Sequence, residues 1–296
     1  MFARLHSVAL MGIEAIPCEV EVDVAERGFS ATTIVGLPDA AVKESIERVH
    51  TAVLNCGYVL PRHRSTINLA PGDVKKEGPA FDLPIALGIL LAGGLISSER
   101  TDDYLVAGEL ALDGRVRPIK GALSMAMLAA ERGKRGLLVP HENANEAAVV
   151  LEVDVIPVAH LTEAVGFLTG QLDLEPTRVD LEQVFAEQST YEVDFAEVRG
   201  QEHAKRALTI AAAGGHNVLM IGPPGTGKTM LCQRLPTILP PLTPAESLET
   251  TRIYSSAGLL SPKQSLMARR PVPVSYTHLR AHETPEHLVC RLLLEK

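Results

Sequence analysis

Gly222-Pro223-Pro224-Gly225-Thr226-Gly227-Lys228-Thr229 is a glycine-rich run set between an apolar strand and a helical segment. It fits G-x-x-x-x-G-K-[ST] at every fixed position, with the short apolar strand Asn217 to Ile221 before it and a helical segment after it. The glycines let the backbone curl around an anion and present successive N–H groups that side chains there would block. A helix beginning near Lys228 aims its positive end at the same anion. In this pattern Lys228 reaches the β- and γ-phosphates as a point charge, and the Thr229 hydroxyl completes a magnesium shell. The expected ligand is a nucleoside triphosphate, ATP with Mg2+, cradled by Gly222, Pro223, Pro224, Gly225, Thr226, Gly227, Lys228 and Thr229. Phosphoryl transfer also needs an acidic residue at the end of another strand and an arginine in trans. No apolar strand ending in paired acids follows the loop, so the chain is expected to bind ATP and to hydrolyse it poorly or not at all.

Upstream of this loop, Gln201 to Ala213 is an alanine-rich helical pattern, and a domain is expected to begin near Val198. From Gln171 to Glu197 acidic side chains accumulate with few apolar partners, which reads as a solvated linker. The region before it mixes strands and helices and forms a separate α/β domain ending near Gly170. Its predicted elements are a hairpin of Ile13 to Val24 with Phe29 to Gly36 about the turn Ala25 to Gly28, and a helix after Asp39 carrying Val42, Ile46, Val49 and Val53. A strand Ser65 to Ala70 follows, then an apolar helix capped by Asp82, and a hairpin around Asp113-Gly114 joining Tyr104 to Leu110 with Arg115 to Ile119. Helix Ala122 to Arg132, strand Gly136 to Pro140, helix Ala144 to Leu151, strand Val153 to Val158 and helix Thr162 to Leu168 complete it.

Two domains suit a chain of 296 residues at roughly 100–200 residues each. No apolar run reaches the roughly 18 residues of a spanning helix, and Glu14, Glu19, Glu21 and Asp23 interrupt any secretory signal. A cytoplasmic location with no membrane partner is therefore expected. Cys18, Cys56, Cys232 and Cys290 form no C-x-x-C pair and read as reduced, against a zinc site or disulfide framework. A formal net charge of -8 does not match nucleic acid, so DNA contact would be local or made by an assembly.

Several blocks in order, Val8 to Glu14, Ile34 to Val42 (IVGLPDAAV), Ile67 to Ala86 (INLAPGDVKKEGPAFDLPIA), Val198 to Ala204 (VRGQEHA) and Ile221 to Met230, resemble the ComM/YifB-type magnesium-chelatase-like AAA+ ATPases. The resemblance extends to about Pro271. It implies an N-terminal Lon-protease-like domain of the ribosomal S5 domain 2 fold, residues 1–170, a linker over 171–197, and the first part of a P-loop NTPase (AAA+) motor, residues 198–271. It also implies assembly into a hexameric ring and, for the intact protein, ATP-driven branch migration of DNA in natural competence and recombination, a helicase function. Two other readings stand beside it: a chelatase-like ATPase that remodels a protein or inserts a metal, and a non-enzymatic scaffold that senses nucleotide. The Lon-like leading domain favours the first.

Lon-type proteases carry a serine in a loop resembling Lys76 to Ala80 and a lysine on the helix after a stretch resembling Gly114 to Gly121. Here the serine position is Ala80 and the lysine position Ser124, with Lys120 nearby, so a peptidase is not expected. Lys75 and Lys76, with Arg62 and Arg64, suggest a phosphate-contacting patch, though a solvated loop is the preferred reading. From Val272 the family pattern ends. Residues 274–296 resemble translated adapter read-through, so 272–296 is expected to be artefactual, and the acidic second motif and arginine finger to be missing. Within it His278, His282-Glu283 and His287 imitate H-E-x-x-H with the wrong spacing and an intervening Pro285, and no metal site is expected there.

Overall fold

A computed structural model describes the chain except residues 26, 28–30, 62, 189–190, 262–263, 272–287 and 291–296. The chain divides into two compact units, one of Met1–Leu181 with Glu249–Leu266, the other of Glu182–Leu248 with Met267–Lys296.

The first unit is built on a mixed sheet. Strands β1 (Phe2–Met11) and β2 (Glu14–Val24) form an antiparallel ladder from Phe2 opposite Asp23 to Met11 opposite Glu14. In β2, Cys18, Val20, Val22 and Val24 are buried between less buried Glu19, Glu21 and Asp23, the period-two pattern of a sheet with one face on the core. The hairpin expected between residues 13–24 and 29–36 is corrected here. Strand β3 (Thr32–Val35) lies parallel to β4 (Ser65–Ala70), and β4 takes the other edge of β2. A period-two run can pair with either neighbour in the chain, and β2 pairs backward, through the tight turn at Gly12. The parallel β3–β4 pair needs a crossover, and helix α1 (Ala40–Asn55) supplies it. The Asp39 carboxylate caps α1 by accepting from Val42 N at 2.7 Å, and Val42, Val49 and Val53 face the core as predicted.

Helix α2 (Asp82–Ala92) is buried on nearly every face, as expected of an apolar run between a sheet and another helix. It crosses the sheet at Gly88, where a Cβ would stand 2.6 Å from Val22 Cγ2. Asp82 does not cap it. Phe81 occupies the preceding position, and the Asp82 carboxylate turns to Arg48 of α1, with Nε and Nη2 at 3.0 and 3.2 Å, and to Leu110 N at 3.2 Å. A fully buried carboxylate needs a cation and hydrogen bonds more than the helix start needs a side-chain acceptor.

The expected strand over residues 104–110 is two pieces. Strand β5 (Tyr104–Val106) enters the main sheet, and β6 (Glu109–Leu110) pairs with β7 (Val116–Arg117) around the predicted Asp113-Gly114 turn. Helix α3 (Ala122–Glu131), strand β8 (Gly136–Pro140), the short helix α4 (Ala144–Ala147), strand β9 (Asp154–Val158) and helix α5 (Leu161–Leu168) follow, α4 ending before the expected residue 151. The sheet order is β3-β4-β2-β1-β5-β8-β9, with β1, β5, β8 and β9 mutually parallel. The architecture is mixed α/β with a parallel-rich sheet.

The second unit holds helix α6 (Leu181–Gln188), which rises within the stretch expected as linker, and a 3-10 turn, Phe195–Glu197. Helix α7 (Glu202–Gly214), strand β10 (Val218–Met220), helix α8 (Lys228–Arg234) and the start of helix α9 (Pro244–Ala257) follow, with β10 antiparallel to β11 (Leu288–Cys290). Its core gathers Phe195, Val198, Leu208, Ala212, Leu231 and Leu235. Among the described residues no helix is long and apolar enough to cross a membrane.

Candidate functional site

The strand β10 delivers the chain to Gly222, and α8 begins at Lys228, so the loop between them is the strand-to-helix turn that the motif requires. Gly225 and Gly227 have φ of 81° and 84°, left-handed values that side chains adopt only at a cost. Gly227 stands at the N-cap with no side chain capping it, leaving the first amides of α8 to whatever lies in front of them. The Thr226 hydroxyl donates to the Pro223 carbonyl at 2.9 Å and closes the curl from within.

Lys228 folds back over this curl. Its Nζ donates to the carbonyls of Gly222 at 2.6 Å and Pro223 at 2.9 Å, and lies 3.4 Å from Thr226 Oγ1. A compact ammonium with three donors is thus held at the mouth of the loop by main-chain oxygens. Thr229 follows in the first turn of α8, half-buried. Pro223, Pro224, Gly225 and Thr226 are exposed. The eight motif residues therefore form one loop with a cation, an uncapped helix start and an adjacent hydroxyl, a set suited to an anion and a hard divalent cation.

Two residues outside the motif hold this loop. Gln201 donates from Nε2 to the Thr226 carbonyl at 2.8 Å, and Glu197 accepts from Arg234 Nη2 at 2.7 Å and Nε at 3.2 Å at the far end of α8. Gln201 falls in the block Val198 to Ala204, where the sequence alone assigns it no role. The signal that could have marked it is a long amide side chain directly after Gly200, in a turn where both residues have positive φ.

The positions at which Lon-type proteases carry their serine and lysine lie in the first unit. Ala80 and Lys120 line one cleft of about 580 Å³. Ala80 offers only a methyl group, and its carbonyl accepts from Gly108 N at 2.9 Å. Ser124 is buried, donating to the Ile13 carbonyl at 2.8 Å and accepting from Arg252 Nε at 3.1 Å. The Lys75–Lys76 patch divides. Lys75 is exposed and pairs with Glu77 at 2.6 Å, whereas Lys76 is fully buried, donates to the Pro71 carbonyl, and has its pKa lowered by burial. Lys76 is thus neither a phosphate contact nor solvated: its backbone pairs with Leu37 and Asp39 and its side chain is buried. Arg62 lies outside the described residues, as do His278, His282 and His287. Cys18 and Cys56 are free thiols, and burial raises the pKa of both.

Residues 20–143 match the family described as subunit ChlI of Mg-chelatase, and residues 194–283, reaching past Pro271, match the family described as magnesium chelatase, subunit ChlI. The chain is 43% identical over 254 residues to the uncharacterized protein YifB of Salmonella typhimurium, covering 86% of this chain and 49% of that protein. It is 42% identical over 254 residues to the competence protein ComM of Haemophilus influenzae, covering 86% and 50%. A shorter likeness, 29% over 116 residues, relates 39% of this chain to 20% of Lon protease 2 of Bacillus subtilis. The chain spans about half the length of the YifB and ComM relatives it matches.

Proposed function

Because the chain belongs to the ComM/YifB-type, magnesium-chelatase-like family, we propose that Gly222 to Thr229 bind the phosphates of ATP and that the Thr229 hydroxyl holds the accompanying Mg2+. The observation that carries this reading is the Lys228 ammonium poised on the carbonyls of Gly222 and Pro223 beside an uncapped helix start. An arriving phosphate exchanges with those carbonyls as the partner of Nζ, while amides at the start of α8 take its oxygens. Bound Mg2+ supplies charge neutralisation between phosphate oxygens. Between Thr229 and Pro271 no apolar strand ends in paired acids, so binding rather than rapid hydrolysis is the activity proposed for this chain.

For the longer protein we propose an AAA+ motor that assembles as a hexameric ring, acts in the cytoplasm, and drives branch migration of DNA. Its first domain, residues 1–170, takes the Lon-like, S5 domain 2 fold without peptidase chemistry, since Ala80 carries no nucleophile. The two ChlI family matches favour a second reading, a chelatase-like ATPase remodelling a protein or metal-insertion complex. ATP turnover of the longer protein with and without branched DNA separates the two, stimulation by DNA being the outcome the first requires.

Calorimetric titration of the chain with ATP and Mg2+ tests the site itself. The wild type gives a saturable isotherm, and Lys228→Ala abolishes it at unchanged unfolding midpoint. A wild type silent to ATP, or an unaltered Lys228→Ala isotherm, rejects the assignment.

A further inference from the structure

We infer that Gln201 is a positioning residue for the phosphate loop, fixing the peptide between Thr226 and Gly227 so that its N–H faces the ligand. This rests on the reading of Gly222 to Thr229 as a nucleotide site and names a residue that the motif does not contain. Gln201 has φ of 57°, and Gly200 before it has φ of 66°. A left-handed conformation is strained for an ordinary side chain, a strain a second glycine would avoid. What Gln201 has in place of that relief is a side-chain amide that reaches Thr226 O at 2.8 Å. In a planar trans peptide the carbonyl and the next N–H point in opposite directions. Holding the Thr226 carbonyl toward Gln201 therefore turns the Gly227 N–H away from it, at the left-handed N-cap where α8 begins.

The platform that carries Gln201 is itself fixed. Asp194 caps the 3-10 turn through Ala196 N at 2.8 Å, Phe195 and Val198 are buried in the core of the second unit, and Glu197 grips Arg234 at the other end of α8. Residues 194–201 thus hold both ends of the segment from Thr226 to Arg234. A loop ordered in advance binds anions more tightly because less freedom is lost on binding. Gln201 makes that contribution without touching the ligand.

The full chain is titrated by calorimetry with two probes, ADP with Mg2+ and inorganic pyrophosphate, and its unfolding midpoint is measured without ligand. Gln201→Gly removes the amide and relaxes the backbone, so the midpoint holds or rises while affinity for both probes falls about tenfold. Gln201→Glu, which sets a carboxylate against the Thr226 carbonyl, weakens both further. Gln201→Gly that binds both probes like the wild type overturns the inference and leaves the nucleotide reading intact. Loss of affinity for ADP alone overturns it too, since Gln201 would then touch the nucleoside. A parallel fall in midpoint and affinity reduces Gln201 to a general structural role and overturns it as well. A wild type that binds neither probe removes the nucleotide reading and this inference together.

Discussion

Burial pushes the Asp82 carboxyl up to about 6 although the Arg48 guanidinium and the Leu110 amide oppose the shift. The folded chain therefore holds this proton more tightly than the unfolded chain does. The stability it contributes is complete below about pH 4, the carboxyl's ordinary range, and is lost as pH rises through about 6. The amount is on the order of 3 kcal/mol. Denaturant unfolding of the wild type at pH 4, 5, 6 and 7 should show this decline beneath contributions of other groups, and Asp82→Asn should flatten it. Unchanged slopes in Asp82→Asn would mean that Asp82 does not titrate in this window. Asp82 also shows why a single residue is hard to read from sequence. An aspartate opening an apolar helix has the appearance of a cap, and only the fold brings Arg48 of α1 within reach.

Asp39 is a cap in fact, and it does a second task. Its Oδ1 takes Val42 N at 2.7 Å and its Oδ2 takes Gly78 N at 3.2 Å, joining the start of α1 to the loop that carries Ala80. Asp39→Ala should cost about 1–2 kcal/mol, read as a lower unfolding midpoint, and should speed amide exchange at Gly78. Asp39→Asn should recover the cap but not the contact to Gly78, because its one amide oxygen can accept from Val42 N while its Nδ2 cannot accept from Gly78 N. Elements with a local cause were legible in this way: α1 from its cap and its period, the β6–β7 turn from Asp113-Gly114, β4 from its alternation. The β1–β2 ladder was not, because β2 alternates equally well toward either neighbour and the turn at Gly12-Ile13 carries no strong hairpin dipeptide. The α4 helix was overextended because Ala148, Val149 and Val150 are apolar and buried whether helical or not.

The strand-to-helix loop Gly222 to Thr229 was legible as one unit because its eight residues are consecutive. Its support was not, since Gln201 lies 25 residues from Thr226 and only folding brings them together. The same limit applies to the first unit, which takes back Glu249–Leu266 after the chain has left it. Arg252 donates to Ile13 O and Ser124 Oγ, each at 3.1 Å, and Ser255 O accepts from Gly121 N at 3.1 Å. Arg252→Ala should free this returning segment, so that exchange of the Gly121 amide and of residues 249–261 accelerates at least tenfold while that of β1 and β2 does not change. Equal protection in wild type and variant would show that Arg252 does not hold the segment.

That returning segment also fixes an order of events during synthesis. A ribosome releases the strands of the first unit before it has made residues 222–229, and it makes those before residues 249–266. Ile13 and Ser124 wait for Arg252 through the production of everything between, so the nascent chain leaves that face open to solvent for as long as the second unit takes to emerge.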